Sequence, residues 1–269
     1  MTHTISGIRG PIAEAGDVRG GKVWRGRWDQ GAEEAAPGTL VLFSSWALGE
    51  PERGRYDDGV LVGWRRAVIA AKKRGADVWV VAHAGALPDW QIAREGWLDP
   101  DALANWGCWI DRLGRGLAEA VGGWIALWDP VGEAACYDGD ARRAGRVLLD
   151  AQAAAYLQLH RGTGAMAREV AAAVTLAPPR LSGVGPGLGV RDRMTMIAHR
   201  FATEGWVRAA ASGRLGPPFA ITGELPNGTA ALDRVVVLGE GPHVSRDTAG
   251  LAALGRPITT VVGDVIRAA

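Results

Sequence analysis

Three side chains that can move protons each follow an apolar run of the sequence, namely His83, Asp129 and Glu240. Imidazole and carboxyl groups are the side chains that enzymes use most often as general acids and bases. We therefore predict that these three residues are catalytic. Two further polar residues lie close behind them in the chain and are predicted to bind substrate, Glu133 and His243.

Each predicted catalytic residue also has a purely structural interpretation. His83 could be a core histidine with its hydrogen bonds satisfied. Asp129 could cap the turn that begins at Pro130, since aspartate is favoured in that position. Glu240 stands between two glycines and could belong to a polar turn that closes a strand. The sequence leaves both interpretations open.

The chain contains twelve tryptophans, an unusual number for one core. A buried indole N–H needs a hydrogen-bond partner, so some of these rings could line a cleft instead. We predict that four of them contact a substrate, namely Trp46, Trp90, Trp97 and Trp128. The alternative is that the rings pack between helices.

Short apolar runs alternate with segments of helical periodicity along most of the chain. The predicted strands are 39–45, 78–82, 124–128, 170–176, 235–238 and 258–262, and the predicted helices are 60–74, 101–121, 140–161, 191–213 and 247–254. Continuous apolar strands between helices predict a parallel sheet that is covered on both faces. A barrel and an open doubly wound sheet both fit this pattern. The sequence lacks the glycine-rich fingerprint of the nucleotide-binding open sheets, which favours the barrel.

Length and composition predict one domain over residues 1–269, since 48% of the 269 residues are hydrophobic. The formal net charge is only +1, so nucleic acid is not an expected partner.

The start of the chain does not have the pattern of a leader, and apolar runs are too short to span a bilayer, so we expect a cytoplasmic location. The two cysteines are expected to be buried, and His160 and His199 to lie at the surface. No metal or cofactor is expected. Abundant alanine, glycine and arginine suggest a bacterial source.

The order of landmarks between Gly59 and Arg161 resembles family 1 glycoside hydrolases, the β-glucosidase type of (β/α)₈ barrel. In that family a helix with a Tyr/Trp-Arg-Arg start leads to a strand that ends His-x-Asp-Leu-Pro and then to a Gly-Gly-Trp turn. The corresponding segments here are GWRRAVIAAKKRGADVWVVAHAGALPDW and REGWLDP. The resemblance implies that His83 takes the place of the sugar-binding histidine, with one residue inserted before Leu87.

The catalytic motifs of the family are altered in this chain. The acid/base strand reads Trp-x-Thr-x-Asn-Glu-Pro in the family and WIALWDP here, so Asp129 replaces the glutamate. The nucleophile motif corresponds best to PITTVVGD, where Val262 takes the place of the glutamate. Another registration puts Glu224, in ITGELPNG, on that motif. Retaining hydrolysis needs two carboxyl groups about 5 Å apart, so the ordinary reaction is not expected.

The resemblance implies a (β/α)₈ barrel that is shortened or incomplete after the seventh strand. An open barrel leaves unpaired backbone groups at an edge, and a homodimer would cover them. Our first functional hypothesis is a diverged barrel enzyme with acid/base chemistry on a glycoside- or polyol-like small molecule, by cyclisation, elimination or isomerisation in bacterial specialised metabolism. The second is an inactive pseudo-glycosidase that serves as a binding or interaction protein. The third is a conventional hydrolase.

Overall fold

The computed structural model describes residues 3–5, 38–161, 168–176, 189–220, 222–225, 228–239, 251 and 256–262. The strands are β1 (His3–Ile5), β2 (Gly38–Phe43), β3 (Ala76–His83), β4 (Gly123–Trp128), β5 (Glu169–Thr175), β6 (Arg214–Leu215), β7 (Gly223–Glu224), β8 (Arg234–Gly239) and β9 (Ile258–Val262). The helices are α1 (Trp46–Gly49), α2 (Asp58–Lys73), α3 (Asp89–Ile92), α4 (Ala102–Leu117), α5 (Pro130–Ala134), α6 (Ala141–Arg161) and α7 (Val190–Ser212), with a 3₁₀ turn at Gly96–Leu98.

Seven of the strands form one parallel sheet in the order β1-β9-β8-β5-β4-β3-β2. From β2 to β9, and apart from the separate antiparallel pair β6-β7, each strand lies beside the next one in the chain, and β9 also pairs with β1. This is the strand order of a (β/α) barrel. The α/β class and the barrel-like arrangement are therefore confirmed. In the described residues, β1 and β2 are the two edge strands.

The two faces of the sheet are packed differently. Residues such as Leu42, Val80 and Ala172 point to the helices and belong to one large core with them. Alternate residues of five strands form a second cluster that contains no helical residue: Val41, Phe43, Trp79, Val81, Ile125, Ala171, Ala173 and Val236. Because that face is filled by the strands' own side chains, it has the character of a barrel interior.

The outer helices form where the sequence supplies both a cap and an apolar face. Helix α2 begins at Asp57, whose carboxylate accepts a hydrogen bond from the Val60 N–H, and its last turn carries Lys72 and Lys73. Both ends complement the helix dipole. Helix α4 buries Trp106, Trp109, Ile110, Leu113 and Leu117 on one side. These faces hold α2 and α4 on the outside of the sheet.

The predicted elements correspond closely to the observed ones. Helix 101–121 ends at Leu117 instead, and the predicted helix 247–254 lies outside the described residues except for residue 251. The cysteines were predicted wrongly, because Cys108 and Cys136 are both exposed. Among the described residues, no helix has both the length and the apolar character needed to cross a membrane.

Candidate active site

Asp129 stands at the carboxyl end of β4, where it leaves the sheet with left-handed backbone angles of φ 51° and ψ 56°. Only a few per cent of residues other than glycine adopt positive φ, and aspartate is one of those that tolerate it. Its N–H still donates to the carbonyl of Ala173 in β5, 2.8 Å away. The chain therefore turns sharply at Asp129 and directs its carboxyl group across the strand ends.

The carboxyl group of Asp129 accepts hydrogen bonds from a side chain and from the backbone. The hydroxyl of Thr175, at the end of β5, donates to Oδ1 at 2.8 Å. The N–H of Gly132 in α5 donates to the same oxygen at 3.3 Å. The structural interpretation of Asp129 as a helix cap is thus present in the fold. The bond to Thr175 shows that capping is not its only contact.

His199, on the inner face of α7, completes this cluster. Its Nε2 lies 3.2 Å from the Thr175 hydroxyl and 3.2 Å from the Thr175 carbonyl oxygen. The threonine hydroxyl therefore lies between a carboxyl group and an imidazole. We predicted His199 to be a surface residue, and this was wrong: its exposed fraction is 9%. The next hydrogen bond along the helix, from the Thr203 hydroxyl to the Thr175 carbonyl, fixes α7 against the strand end.

Burial shifts the ionisation of both ends of this cluster. Desolvation raises the pKa of Asp129 above its ordinary 3.8, against the opposing effects of the Thr175 hydrogen bond and the charge of His199. Desolvation also lowers the pKa of His199 below its ordinary 6.5, while the charge of Asp129 acts in the other direction. Burial disfavours the charged form of each group. Both groups are therefore shifted towards their neutral forms.

Trp128 lies on the barrel-interior side of the site. It is half-buried and meets Phe43, at the end of β2, edge to face with a centroid distance of 4.8 Å. It reaches this side because the register of β4 shifts between Ile125 and Leu127. The pair forms an aromatic wall beside Asp129, at the end of the sheet where barrel enzymes place their chemistry.

His83 lies in a second cluster, away from the hydroxyl of Thr175. Its Nε2 is 2.9 Å and 3.0 Å from the two carboxyl oxygens of Glu133. The indole N–H of Trp97 donates to the same carboxyl group at 2.6 Å. Trp106 packs against the imidazole ring at a centroid distance of 5.9 Å. The exposed fractions of His83, Trp97 and Glu133 are 1%, 1% and 5%.

Trp46 and Trp90 are placed in the packing beside this second cluster. Trp46 is 1% exposed, and its indole N–H donates to the Glu50 carboxyl group at 2.7 Å. Trp90 is half-buried and donates to the Glu50 carbonyl oxygen at 2.9 Å. The alternative that tryptophans pack the core holds for six rings that are almost fully buried: Trp46, Trp97, Trp106, Trp109, Trp124 and Trp206.

The remaining predicted residues cannot be placed beside Asp129. Glu240 and His243 lie outside the described residues. Glu224 belongs to β7, in the separate two-stranded sheet, and is exposed. Because β9 pairs with β8 throughout its length, the registration that uses PITTVVGD agrees with the sheet order better than the one that uses Glu224. In the part of the chain described here, no three His, Cys, Asp or Glu residues are grouped so that they could hold a metal ion.

Comparison with solved structures agrees with this geometry. A β-glycosidase from Pyrococcus horikoshii superposes with a TM-score of 0.67 at 15% identity, over 86% of this chain and 63% of that one. The fold is similar to family 1 β-glucosidases. A GH1 β-glucosidase from Exiguobacterium antarcticum B7 gives a TM-score of 0.60 at 15% identity, with 75% and 50% of the two chains covered. A β-glucosidase from Thermotoga maritima, in complex with deoxynojirimycin, gives 0.59 at 20% identity, with 76% and 50% covered.

The similarity concerns the fold. No family model matches the sequence, and the search of curated proteins found no match. The chain spans between half and 63% of the length of these solved structures. The expected resemblance to a glycosidase barrel of reduced size is confirmed at this level. What the barrel does in this chain depends on its own residues, because one fold can carry many functions.

Proposed function

We propose that this chain is a diverged glycosidase-like enzyme that performs acid/base chemistry on a hydroxyl-rich small molecule, such as a glycoside or a polyol. The observation that carries the proposal is the position of Asp129. Its carboxyl group is desolvated, held by the Thr175 hydroxyl and directed to the end of the sheet where barrel enzymes react. A strained backbone at such a place is typical of functional sites.

In this proposal Asp129 is the proton donor and acceptor. Its raised pKa means that a larger fraction is protonated near neutral pH, which is the state a general acid needs. After proton donation, the Thr175 hydroxyl would stabilise the carboxylate by its hydrogen bond. His199 would add its charge when protonated. A substrate ring would lie against Trp128, as sugar-sized molecules often pack on aromatic faces.

The other predicted residues take supporting roles in the proposal. His83 Nε2 and the Trp97 indole both contact the Glu133 carboxyl group in the interior, so we assign these residues to the support of the loop after β3 and of α5. Glu133 lies one turn after Asp129 and its N–H donates to the Asp129 carbonyl at 2.9 Å. This bond links the two clusters through the backbone. Glu240 and His243 stay candidates for a second acid/base pair, and we propose a cytoplasmic enzyme.

A non-hydrolytic reaction is the form of the proposal that the carboxyl groups favour. Retaining hydrolysis uses a second carboxyl group about 5 Å from the first. The position that the family resemblance implies for this second group holds Val262, which has no carboxyl group. Cyclisation, elimination and isomerisation require proton transfer and can proceed with one carboxyl group and an imidazole.

A binding protein without catalysis is the second candidate. The observation in its favour is the burial of His83, which occupies the sugar-binding position implied by the family resemblance yet is only 1% exposed. A pseudo-glycosidase would bind a ligand or a protein and have no use for the ionisation of Asp129. The two candidates therefore differ in what Asp129→Asn would do.

The test is a turnover screen by mass spectrometry with aryl glycosides and with metabolite extracts. Wild type is compared with Asp129→Asn and with Asp111→Asn, the same chemical change at an exposed position of α4. Conversion by wild type and Asp111→Asn that is lost in Asp129→Asn would support the enzyme. A product of unchanged mass or with water removed would support isomerisation, cyclisation or elimination, whereas addition of water would mean hydrolysis. Ligand retained equally by all three proteins, without conversion, would favour the binding protein.

A further inference from the structure

The outer face of α7 exposes an apolar stripe that nothing in the described residues covers. The exposed fractions are 80% for Val190, 60% for Met194, 61% for Ile197 and 54% for Phe201. Their spacings of four, three and four residues place them in one row along the helix. The opposite face of α7, with His199, Thr203 and Trp206, is buried against the barrel. Contiguous apolar rows of this size usually mark interaction sites.

The spacing of this stripe is self-complementary. Read backwards, four, three and four is the same series, so a twofold axis across the middle of the stripe sets apolar residues against apolar residues. Val190 of one copy then lies opposite Phe201 of the other, and Met194 opposite Ile197. A surface that matches itself in this way is what a symmetric dimer requires.

The area of the stripe fits the same partner. Its four side chains expose on the order of 400 Å² in each copy. Pairing two stripes would remove about 800 Å² of mainly apolar surface, and the surrounding rim brings the total towards the roughly 1,200 Å² or more of stable interfaces. The rim contains the exposed side chains of Arg191 and Arg193, while Arg200 forms an ion pair with Glu204 at 3.0 Å.

We propose that α7 is the dimer interface of this protein, and that its occupant is α7 of a second copy packed antiparallel. The proposal rests on the exposed face of the helix and is independent of the function proposed for Asp129. It also differs from a dimer that completes the sheet, because the edge strands β1 and β2 take no part in it.

The first experiment measures the molecular mass of the full chain by sedimentation velocity over a range of concentrations. Ile197→Glu and Met194→Glu put a charge in the centre of the stripe, and Val62→Glu makes the same kind of change at a 48% exposed position of α2. We expect dimers for wild type and Val62→Glu, and a dissociation constant at least about thirtyfold weaker for the two stripe variants. A monomeric wild type, or stripe variants that remain dimeric, would overturn the proposal. If wild type is monomeric and the stripe variants also melt at a lower temperature, the stripe is covered within its own chain. That result would overturn the proposal too.

The second experiment tests the antiparallel orientation by crosslinking. Cys108 and Cys136 are exposed and are first replaced by serine. In this background, Val190→Cys and Phe201→Cys proteins are mixed and oxidised. The proposed packing brings these two positions together, whereas two copies of either one are about 16 Å apart along the helix. We expect disulfides between the two variants and almost none within each. Efficient crosslinking within each variant would indicate parallel packing and contradict the proposal.

Discussion

Two features of its surroundings shift the pKa of Asp129 in opposite directions. As the cap of α5 it accepts the Gly132 N–H, and such a bond favours the carboxylate. As a desolvated group at the strand end it is favoured in the protonated form, and this effect is the larger one. The Thr175 hydroxyl reduces the difference by donating to the same oxygen. The net result is a pKa of Asp129 above its ordinary value of 3.8.

We predict that Asp129→Asn stabilises the folded protein at neutral pH. The pKa of Asp129 is higher in the folded chain than in the unfolded chain, so its contribution to stability is present below the ordinary value of 3.8 and is lost as the pH rises through the folded value. Asparagine has no charge to desolvate, it can accept the same hydrogen bonds and it tolerates positive φ. The measurement is the melting temperature of both proteins at neutral pH and at the most acidic pH at which both fold. The advantage of asparagine should shrink in acid.

Asp129→Ala is the control for that prediction. Alanine cannot accept the Gly132 hydrogen bond, a loss of about 1 kcal/mol for a helix cap. It also has a cost of about 1 kcal/mol in the left-handed region. We expect Asp129→Ala to have a free energy of unfolding about 2 kcal/mol lower than that of Asp129→Asn. If Asp129→Asn were as unstable as Asp129→Ala at neutral pH, the carboxylate would stabilise the folded protein. Burial of its charge would then have no net cost.

Glu133 allows a separate test of the buried cluster. Removing its carboxyl group in Glu133→Ala leaves the indole N–H of Trp97 without its acceptor and takes away the group that His83 Nε2 contacts. A buried donor without a partner costs about 1–3 kcal/mol, so we expect the free energy of unfolding to fall by roughly 3 kcal/mol in urea titrations. Glu133→Gln keeps one acceptor and should lose about half as much.

The matched control for this test is Glu119→Ala. Glu119 is 88% exposed and its ion pair with Arg65 should contribute less than about 1 kcal/mol. If Glu133→Ala were as stable as this control while ligand binding was lost, Glu133 would act on the substrate, as the sequence alone predicts, and the supporting role would be refuted.

At the level of elements, α7 shows why the site was only partly predictable. A buried face is normally read from apolar periodicity, and in α7 the row from Val190 to Phe201 has that periodicity although it is exposed. The face that is buried contains His199 and Thr203 in its first half, and its apolar residues, such as Trp206 and Val207, come only further along the helix. In the first half of α7, periodicity therefore points to the wrong side of the helix. His199 was predicted at the surface because it lies in a helical stretch beside Arg200. A sequence cannot separate an apolar face that packs inside from one that packs against a partner.

The strands were easier to predict because their signal is continuous. The run VVVL, for example, lies within β8, since a strand buried on both faces needs no polar alternation. Asp129 could be selected for the same reason, because the first polar residue after such a run stands at the end of the sheet. Thr175 could not be selected, because it lies inside a predicted strand and its role depends on the proximity of β4 and β5.

The glycines before β4 allow a further prediction at this scale. Gly123 pairs with Trp79, and a Cβ atom at this position would lie 2.7 Å from the Trp79 ring. The indole fills the barrel interior and donates to Asp77 at 3.0 Å, so it has little room to move. We expect Gly123→Ala to reduce the free energy of unfolding by about 1–3 kcal/mol.

Gly63→Ala, in the exposed part of α2, is the opposite case and serves as its control. No atom lies within 4 Å of the added methyl group, and alanine should stabilise the helix by roughly 0.5–1 kcal/mol. If both substitutions changed the free energy of unfolding by the same amount, the Trp79 ring would be able to move away from the added methyl group. The close contact between Gly123 and Trp79 would then not be needed for packing of the barrel interior.

For the whole molecule, the residues that determine the fold differ from those that would determine the reaction. The fold is similar to β-glucosidases at 15–20% identity in the solved structures compared, because apolar strands and capped helices can be built from many sequences. The catalytic glutamates implied by the resemblance are replaced by Asp129 and Val262, and these changes leave the sheet order intact. The residues that hold the sheet together are thus separable from those at its carboxyl end.

The single domain predicted from the sequence can be tested by the cooperativity of unfolding. One apolar core extends from Leu40 in β2 to Ile258 in β9 and includes residues of α2, α4, α6 and α7. A continuous core couples these elements, so we expect one transition in which fluorescence, near-ultraviolet and far-ultraviolet circular dichroism coincide. The heat-capacity change should be about 3–4 kcal/mol/K for 269 residues.

Buried tryptophans lie at both sides of the barrel, with Trp109 on α4 and Trp206 on α7, so Trp109→Phe and Trp206→Phe variants can report on each side separately. Coincident midpoints would support one domain over residues 1–269. Two midpoints that follow the two tryptophans would divide the barrel into units that unfold independently.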